Sequence, residues 1–317
     1  MNKRQQQRRH VRRRASGSEH GAAGVGTIDR PNAVRPGHVS PPRVVPLEIP
    51  RPPYVRDGGA RPGPFAPGSF AARMRAAGAA GAKVLATVGA AVAPGVTTDE
   101  LDQLAHDTYI ALGGYPSTLH YKGYEKSLCT SVNEIICHGI PDDRPLADGD
   151  IVNCDITIYL DGVHGDTSAT FLVGDVDEEL QRLVRVTHDS MWLGIAEVRP
   201  GAPIHAIGRA IQNYAEAEGF SVVRTFVGHG IGDEFHTAPS VPHYYDRTAN
   251  EIMTPGMTFT IEPMINVGTF ELGRIWRDGW TAPTADGLAS AQFEHTVLVT
   301  NDGVEVLTKG DDAPPRG

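Results

Sequence analysis

Two acids, Asp155 and Asp166, lie in the most strongly β-forming stretch of the chain, Gly149 to Leu172, on either side of an Asp161-Gly162 pair. That dipeptide favours the tight primed turn of a hairpin, because both residues tolerate φ > 0. Side chains alternate faces along a strand, so Val152, Cys154, Ile156, Ile158 and Leu160 are expected on one face and Asn153, Asp155, Thr157 and Tyr159 on the other. A two-residue turn sets Thr157 opposite Asp166 and Asp166 diagonal to Asp155 on the same face, with backbones about 7–8 Å apart. Like charges at such range disfavour ionisation unless a cation or a proton lies between them, and a divalent metal is the economical answer. Taken alone, the pair leaves open a solvated polar face of an edge hairpin.

The pattern recurs further on. In the strand leading to Glu262, Thr258, Thr260 and Glu262 share a face; around Glu294, Gln292, Glu294 and Thr296 oppose Phe293 and Val297. His229 sits in Gly228-His-Gly-Ile-Gly232, shortly before Phe235-His236. Four carboxylates and an imidazole on polar faces of one sheet make an oxygen-rich, hard-donor site, suited to two divalent ions such as manganese, iron or cobalt and not to a cysteine-type structural zinc.

The elements that would carry these residues fall into two similar halves. An Ala-rich helix from Ser69 through Ala93 is expected to stop at Pro94-Gly95, and a second, capped by Thr97 or Thr98, to end near Gly113-Gly114. Strands follow at about 128–136 and in the hairpin. After Gly174 the order restarts, with helices at about 177–198 and 203–219 and strands at about 221–228, 257–262, 291–300 and 303–308. An offset of 106 maps Pro94-Gly95 onto Pro200-Gly201, Leu101 onto Ile207 and Gly113 onto Gly219. These features predict one α+β domain, two halves related by a pseudo-twofold around a curved antiparallel sheet, with a cleft where they meet.

Residues 1–62 carry 13 Lys and Arg against 4 acids, so against a net charge of −9 for the whole chain the remainder stands at −18. Eleven of the 24 prolines fall in residues 1–67. Such a segment is expected to be disordered over 1–66, apart from a polyproline-like strap at 41–54 lying on a catalytic domain at 67–317. The basic run from Lys3 to Arg14 has no apolar stretch behind it and reads as a solubilising tail or a contact to ribosomal RNA, not as a secretory signal. No run is long enough to span a membrane. Three cysteines, Cys129, Cys137 and Cys154, lack paired spacing, so a reduced, cytoplasmic protein is expected.

His138-Gly-Ile-Pro, Asp155, Gly165-Asp-Thr-Ser-Ala-Thr-Phe171, Gly228-His-Gly-Ile-Gly232, Phe235-His236, Thr260-Ile-Glu-Pro-Met264, Asp278-Gly-Trp-Thr281 and Ala291-Gln-Phe-Glu-His-Thr296 resemble, in order and spacing, the motif series of type I methionine aminopeptidases. The resemblance runs from about Met74 to Leu307, and the leader is similar to that of the extended bacterial enzymes. It implies a pita-bread (creatinase/aminopeptidase) fold and removal of the N-terminal methionine from nascent proteins whose next residue is small, through attack of a metal-activated water on the first peptide bond. It implies two divalent ions (Co, Mn, Fe, Ni or Zn) on Asp155, Asp166, His229, Glu262 and Glu294, with Asp166 and Glu294 bridging. Glu262 would also handle the proton, and His138 and His236 would contact substrate and serve catalysis. Tyr121, Tyr124, Cys129, Phe235 and Trp280 would hold the methionine side chain, or else be ordinary core. The resemblance also implies nascent polypeptides as partners, no membrane, and a monomer. Glu125 stands where the family usually has proline. The resemblance leaves His164 as a support for Asp166 or a partly solvated strand residue, Thr118 as a shaper of the pocket mouth, and Cys137 as no nucleophile, since it should face away from His138. A prolidase would share the metal site but not Asp-Gly-Trp-Thr or Ala-Gln-Phe-Glu-His-Thr. The 33 steps from His229 to Glu262 leave no room for the helical insertion of a type II enzyme. A catalytically dead binding module would be marked by a lost ligand.

Overall fold

The computed structural model describes residues 33–63 and 69–310. Helix α1 (Phe70–Gly89) starts on Ser69, whose hydroxyl accepts from the Ala72 amide, and ends before Pro94 is reached. Helix α2 (Thr98–Ala111) is capped by Thr97, the first of the two candidates, in a reciprocal box with Glu100. Strands β1 (Tyr115–Pro116), β2 (Cys129–Val132) and β3 (Ile135–Cys137) lead to the hairpin β4 (Ile151–Leu160) and β5 (Val163–Leu172). Helices α3 (Glu178–Ala196) and α4 (His205–Ala217) come next, then β6 (Ser221–Val222), β7 (Gly228–Gly230), β8 (Thr237–Val241), β9 (Thr258–Ile261) and β10 (Met264–Asn266). The last are β11 (Ala282–Pro283), β12 (Ser290–Gln292), β13 (Glu294–Val299) and β14 (Val304–Val306).

Three expected strands are each broken in two. The stretch at 128–136 turns at Asn133, whose φ is 49°; β6 and β7 share the stretch at 221–228; and Phe293 separates β12 from β13, which join different sheets. Periodicity alone does not report such breaks, because the residues on both sides remain buried and apolar.

The main sheet is antiparallel and curled, in the order β1-β4-β5-β13-β9-β7-β8. Its centre shows the pseudo-twofold: β5 and β13 lie side by side, flanked by β4 and β9. The helix pairs match as the repeat predicts, and the glycines that end corresponding segments share a left-handed backbone, Gly95 and Gly201 at φ 88° and 85°, Gly113 and Gly219 at 74° and 83°. The hairpin turn is left-handed at both Asp161 (φ 50°) and Gly162 (φ 79°), and it sets Thr157 opposite Asp166 in register.

Each half packs its own helices on the outer face of the sheet. Val152, Cys154, Ile156 and Ile158 are covered by Val84 and Val88 of α1 and by Leu101, Ala105 and Tyr109 of α2. Phe259, Ile261, Val297 and Val299 are covered by Leu183, Met191 and Ile195 of α3 and by Ile207 and Ile211 of α4. Helix α1 crosses β5 at Gly165, where a Cβ would come within 2.4 Å of the Ala77 backbone, so only glycine fits.

The chain from Val34 onwards forms one compact unit, so packing does not begin at residue 67. The strap expected at 41–54 does lie on the domain, but the ordered segment is longer, and 34–63 are fastened by polar groups as well as by buried Val45, Ile49 and Val55. Arg43 donates to Asp102 at 2.7 Å and to the Asp99 carbonyl at 2.8 Å, Ser40 donates to Asp99, and buried Lys126 pairs with the same carboxylate at 2.5 Å. Arg51, fully buried, gathers the carbonyls of Val45, Pro46 and Ile49 and pairs with Asp57. The basic run from Lys3 to Arg14 lies outside the described residues. No helix among the described residues is long and apolar enough to cross a membrane.

Candidate metal centre and side-chain pocket

The inner face of the sheet is polar and almost as buried as the outer one. Asp155 and Glu294 both pair across strands with Ser168, one from each side, so the two halves present carboxylates along a single row. Thr157 and Asp166 form the next row, and there Thr157 donates to Asp166 Oδ1 at 2.7 Å. His229 enters on β7, beside β9. Its backbone N–H donates to Thr260 Oγ1 at 3.0 Å, and that hydroxyl donates to Glu262 Oε1 at 2.7 Å, so Thr260 orients two of the proposed ligands at once.

Donor atoms of Asp166, His229 and Glu294 all lie within 4.8 Å of one another. His229 Nε2 is 3.5 Å from Glu262 Oε1 and 3.8 Å from Asp166 Oδ2. Its Nδ1 lies 3.1 Å from the Gly230 carbonyl, a bond only a protonated Nδ1 can make, which leaves Nε2 as a bare lone pair aimed at two carboxylates. Burial pushes the His229 pKa down to about 4, so the ring stays neutral. The same burial pushes Asp155, Asp166, Glu262 and Glu294 up, with Asp155 adding to the rise in the other three. Lone pairs converging on one point, where carboxylates hold on to protons for want of another positive charge, fit a divalent cation held by oxygen and imidazole. Asp155 lines the same cavity, and five candidate ligands therefore surround one space.

That cavity, of about 340 Å³, also takes in all the predicted pocket residues, Tyr121, Tyr124, Cys129, Phe235 and Trp280, as well as His138 and His236. Tyr124 donates to the Leu128 and Gly139 carbonyls, and Trp280 packs edge-on against it at 5.2 Å. Cys129 pairs in register with Asp155, and burial beside that carboxylate raises its pKa, keeping it a thiol. His138 adopts φ 59°, a strained conformation that turns the chain out of β3; its ring meets Phe226 at 5.2 Å and Trp280 at 6.0 Å. That turn breaks the strand alternation, so Cys137 lines the cavity too, contrary to the expectation that it faces away; burial still holds it protonated. His236 stacks on Tyr121 at 5.1 Å and lies 4.0 Å from the His229 ring.

Thr118 lines the cavity and donates to the Lys126 carbonyl, whereas Glu125 is exposed and outside it. His164 is fully buried, not partly solvated, bonded through Nδ1 to Ser117 Oγ at 2.8 Å. Sequence reasoning missed His243. It is fully buried, and its Nε2 accepts from the backbone N–H of Glu262 at 3.0 Å. A lone histidine in a loop after Pro242 carries no pattern that would reveal this.

Residues 72–301 match the family model of metallopeptidase family M24, and the chain belongs to that family. Within it the chain stands with the methionine aminopeptidases. It is 56% identical over 236 residues to methionine aminopeptidase 2 of Mycobacterium tuberculosis, covering 74% of this chain and 82% of that one. It is 54% identical to methionine aminopeptidase 1A of Arabidopsis thaliana, a longer protein of which the match spans 59%. The crystal structure of methionine aminopeptidase from Rickettsia prowazekii superposes with a TM-score of 0.74 at 48% identity, over 76% of this chain and 97% of that one. Prolidase from Pyrococcus furiosus, at 19% identity and a TM-score of 0.62, shares the fold, which is therefore the pita-bread fold expected.

Proposed function

We propose that this metallopeptidase removes the N-terminal methionine from nascent polypeptides whose second residue is small. The observation that carries the reading is the convergence of Asp166, His229 and Glu294 within 4.8 Å at the floor of a pocket walled by aromatic rings and a thiol. Asp155, Asp166, His229, Glu262 and Glu294 would hold two divalent ions, with cobalt, manganese, iron, nickel and zinc as the candidates. When bound, such ions supply an acidified water and an electrophile for the scissile carbonyl.

The protein's own groups do the rest. Glu262 would take a proton from the attacking water and return it to the departing amine. His236, exposed at the cavity mouth beside His229, donates toward the carbonyl oxygen as it gains charge. His138, neutral because burial lowers its pKa to about 4, donates toward the substrate backbone. Tyr121, Tyr124, Cys129, Phe235 and Trp280 give a polarisable enclosure that suits a thioether. We further propose a cytoplasmic monomer whose catalytic domain carries the strap at 34–63 on its surface and whose basic run from Lys3 to Arg14 serves as a solubilising tail or as a contact to the ribosome.

The test is release of free methionine from Met-Ala-Ser by metal-stripped protein reloaded separately with manganese, cobalt or iron, beside a Gly-Pro dipeptide and an Asp166→Ala control. Metal-dependent release that vanishes in the variant is the expected result. Cleavage of Gly-Pro with Met-Ala-Ser left intact would place the chain with the prolidases, and folded, metal-loaded protein inert toward both would leave only a binding role.

A further inference from the structure

The strap at 34–63 does more than lie on the surface. Tyr54, in its second half, donates its hydroxyl to the Ser117 carbonyl at 2.6 Å. Its ring meets Tyr121 edge-on at 5.0 Å and lies nearly parallel to His164, 15° apart at 6.3 Å. His164 is in turn nearly parallel to Phe235, 13° apart at 5.2 Å, and is held on its other edge by the Ser117 hydroxyl. Tyr121 packs on Phe235 at 4.8 Å and on His236 at 5.1 Å. One ring from the leader thus touches both supports of the aromatic wall that lines the cavity.

Tyr121 needs that support. It is only half-buried, and it sits on a short turn in which His120, Lys122 and Gly123 all have positive φ, at 65°, 49° and 89°. Backbone hydrogen bonds close this turn, Tyr121 N–H to the Thr118 carbonyl at 3.0 Å and Tyr124 N–H to the Tyr121 carbonyl at 2.9 Å, but they fix the main chain and not the ring, whose position is left to lateral packing. The strap, by contrast, does not need Tyr54 to stay docked. Arg43 holds it by ion pairs to Asp99 and Asp102, the buried Arg51 ties the strap's own carbonyls and Asp57 together, and Val45, Ile49 and Val55 bury themselves against Tyr115, Leu119 and Tyr159.

We propose that Tyr54 is a positioning residue for the methionine side-chain pocket, holding Tyr121 and His164 so that Tyr121, Phe235 and His236 present a fixed wall. The leader thereby contributes to substrate selection without touching substrate. This rests on the functional reading above and extends it to a segment outside the matched family region, which begins at residue 72.

The experiment uses the full chain loaded with manganese and compares wild type with Tyr54→Ala and Tyr54→Phe on Met-Ala-Ser and Leu-Ala-Ser. Loss of two aromatic contacts predicts a KM for Met-Ala-Ser raised about five- to tenfold in Tyr54→Ala, with kcat within about twofold and the preference for Met over Leu reduced by a similar factor. Tyr54→Phe, which keeps the ring, stays within about twofold of wild type. Should Tyr54→Ala fail to melt cooperatively, Tyr54→Leu replaces it, keeping bulk without a flat ring. In parallel, fluorotyrosine-labelled protein, with Tyr121 assigned through Tyr121→Phe, shows a shifted and broadened Tyr121 fluorine resonance in Tyr54→Ala. Unchanged KM and preference, a fall in kcat alone, or an unmoved Tyr121 resonance overturns the inference. Wild-type protein that releases no methionine overturns the functional reading instead, and the resonance still decides whether Tyr54 holds Tyr121.

Discussion

On the outer face of β4, Val152, Cys154, Ile156 and Ile158 are fully buried against helices, while on the inner face Asn153 and Thr157 are buried almost as completely, Thr157 in a cavity lined by four carboxylates. Degree of burial does not distinguish the two faces; the partner does. Outer residues meet chain atoms that lower the free energy of folding by about 1.5–3 kcal/mol for each large side chain. Inner residues gather like charges and bare lone pairs, an arrangement that becomes favourable only when a cation joins it. The same strand thus stabilises the fold with its even-numbered side chains and prepares chemistry with its odd-numbered ones.

Substitutions on opposite faces should therefore fail in opposite ways. Asp166→Ala is expected to lower methionine release by at least ~10³-fold, while metal-stripped protein melts no lower than wild type because a repelling charge has gone. A marked drop in melting temperature would show that the acid also supports the fold and would blur the contrast. Ile156→Ala should do the reverse, costing about 2–5 kcal/mol in urea unfolding with the activity of the folded fraction retained.

Thr157→Val tests the boundary between the two roles, since the hydroxyl it loses orients Asp166 from within the same sheet row. Titration calorimetry should find manganese bound about 10–100-fold more weakly, with little change in stability without metal.

The smallest effect concerns pH. The buried carboxylates have raised pKa values when folded, so the folded state keeps protons that the unfolded chain releases, and stability falls as pH rises through the folded values. His229 and His138, lowered to about 4, act in the opposite sense, but above the ordinary histidine pKa of about 6.5 they are neutral in both states. Between pH 6.5 and 8, metal-stripped protein should thus lose stability on the order of 1 kcal/mol per unit, and saturating manganese should flatten the slope. A flat melt series without metal would mean that the carboxylates are already ionised and screened.

The hairpin register was legible because Asp161-Gly162 demands one turn geometry and strand alternation then fixes every neighbour, Thr157 opposite Asp166 included. The paired helices were legible from the 106-residue offset and from glycines that must be left-handed. What connects β5 to β13 was not, because Ser168 and Glu294 are distant in sequence and pair only through the sheet. Nor was the strap's attachment: a proline-rich basic segment reads as unable to fold on its own, and it is docked by acids at the start of α2 that local composition does not place beside it. Cys137 was misassigned because His138 leaves the strand, an event that alternation cannot anticipate.

The seam between β5 and β13 also sets an order of events in folding. Asp155 and Asp166 come from one half, Glu262 and Glu294 from the other, and pairing Glu294 with Ser168 closes a loop of 126 residues. Such long-range closure is slow and late. Until it occurs neither half owns a complete ligand set, so a cation recognises the finished protein far better than any precursor. It then acts as a latch, adding about 2.7 kcal/mol when present at a hundred times its dissociation constant. A latch of this kind slows unfolding while leaving the rate of folding almost untouched.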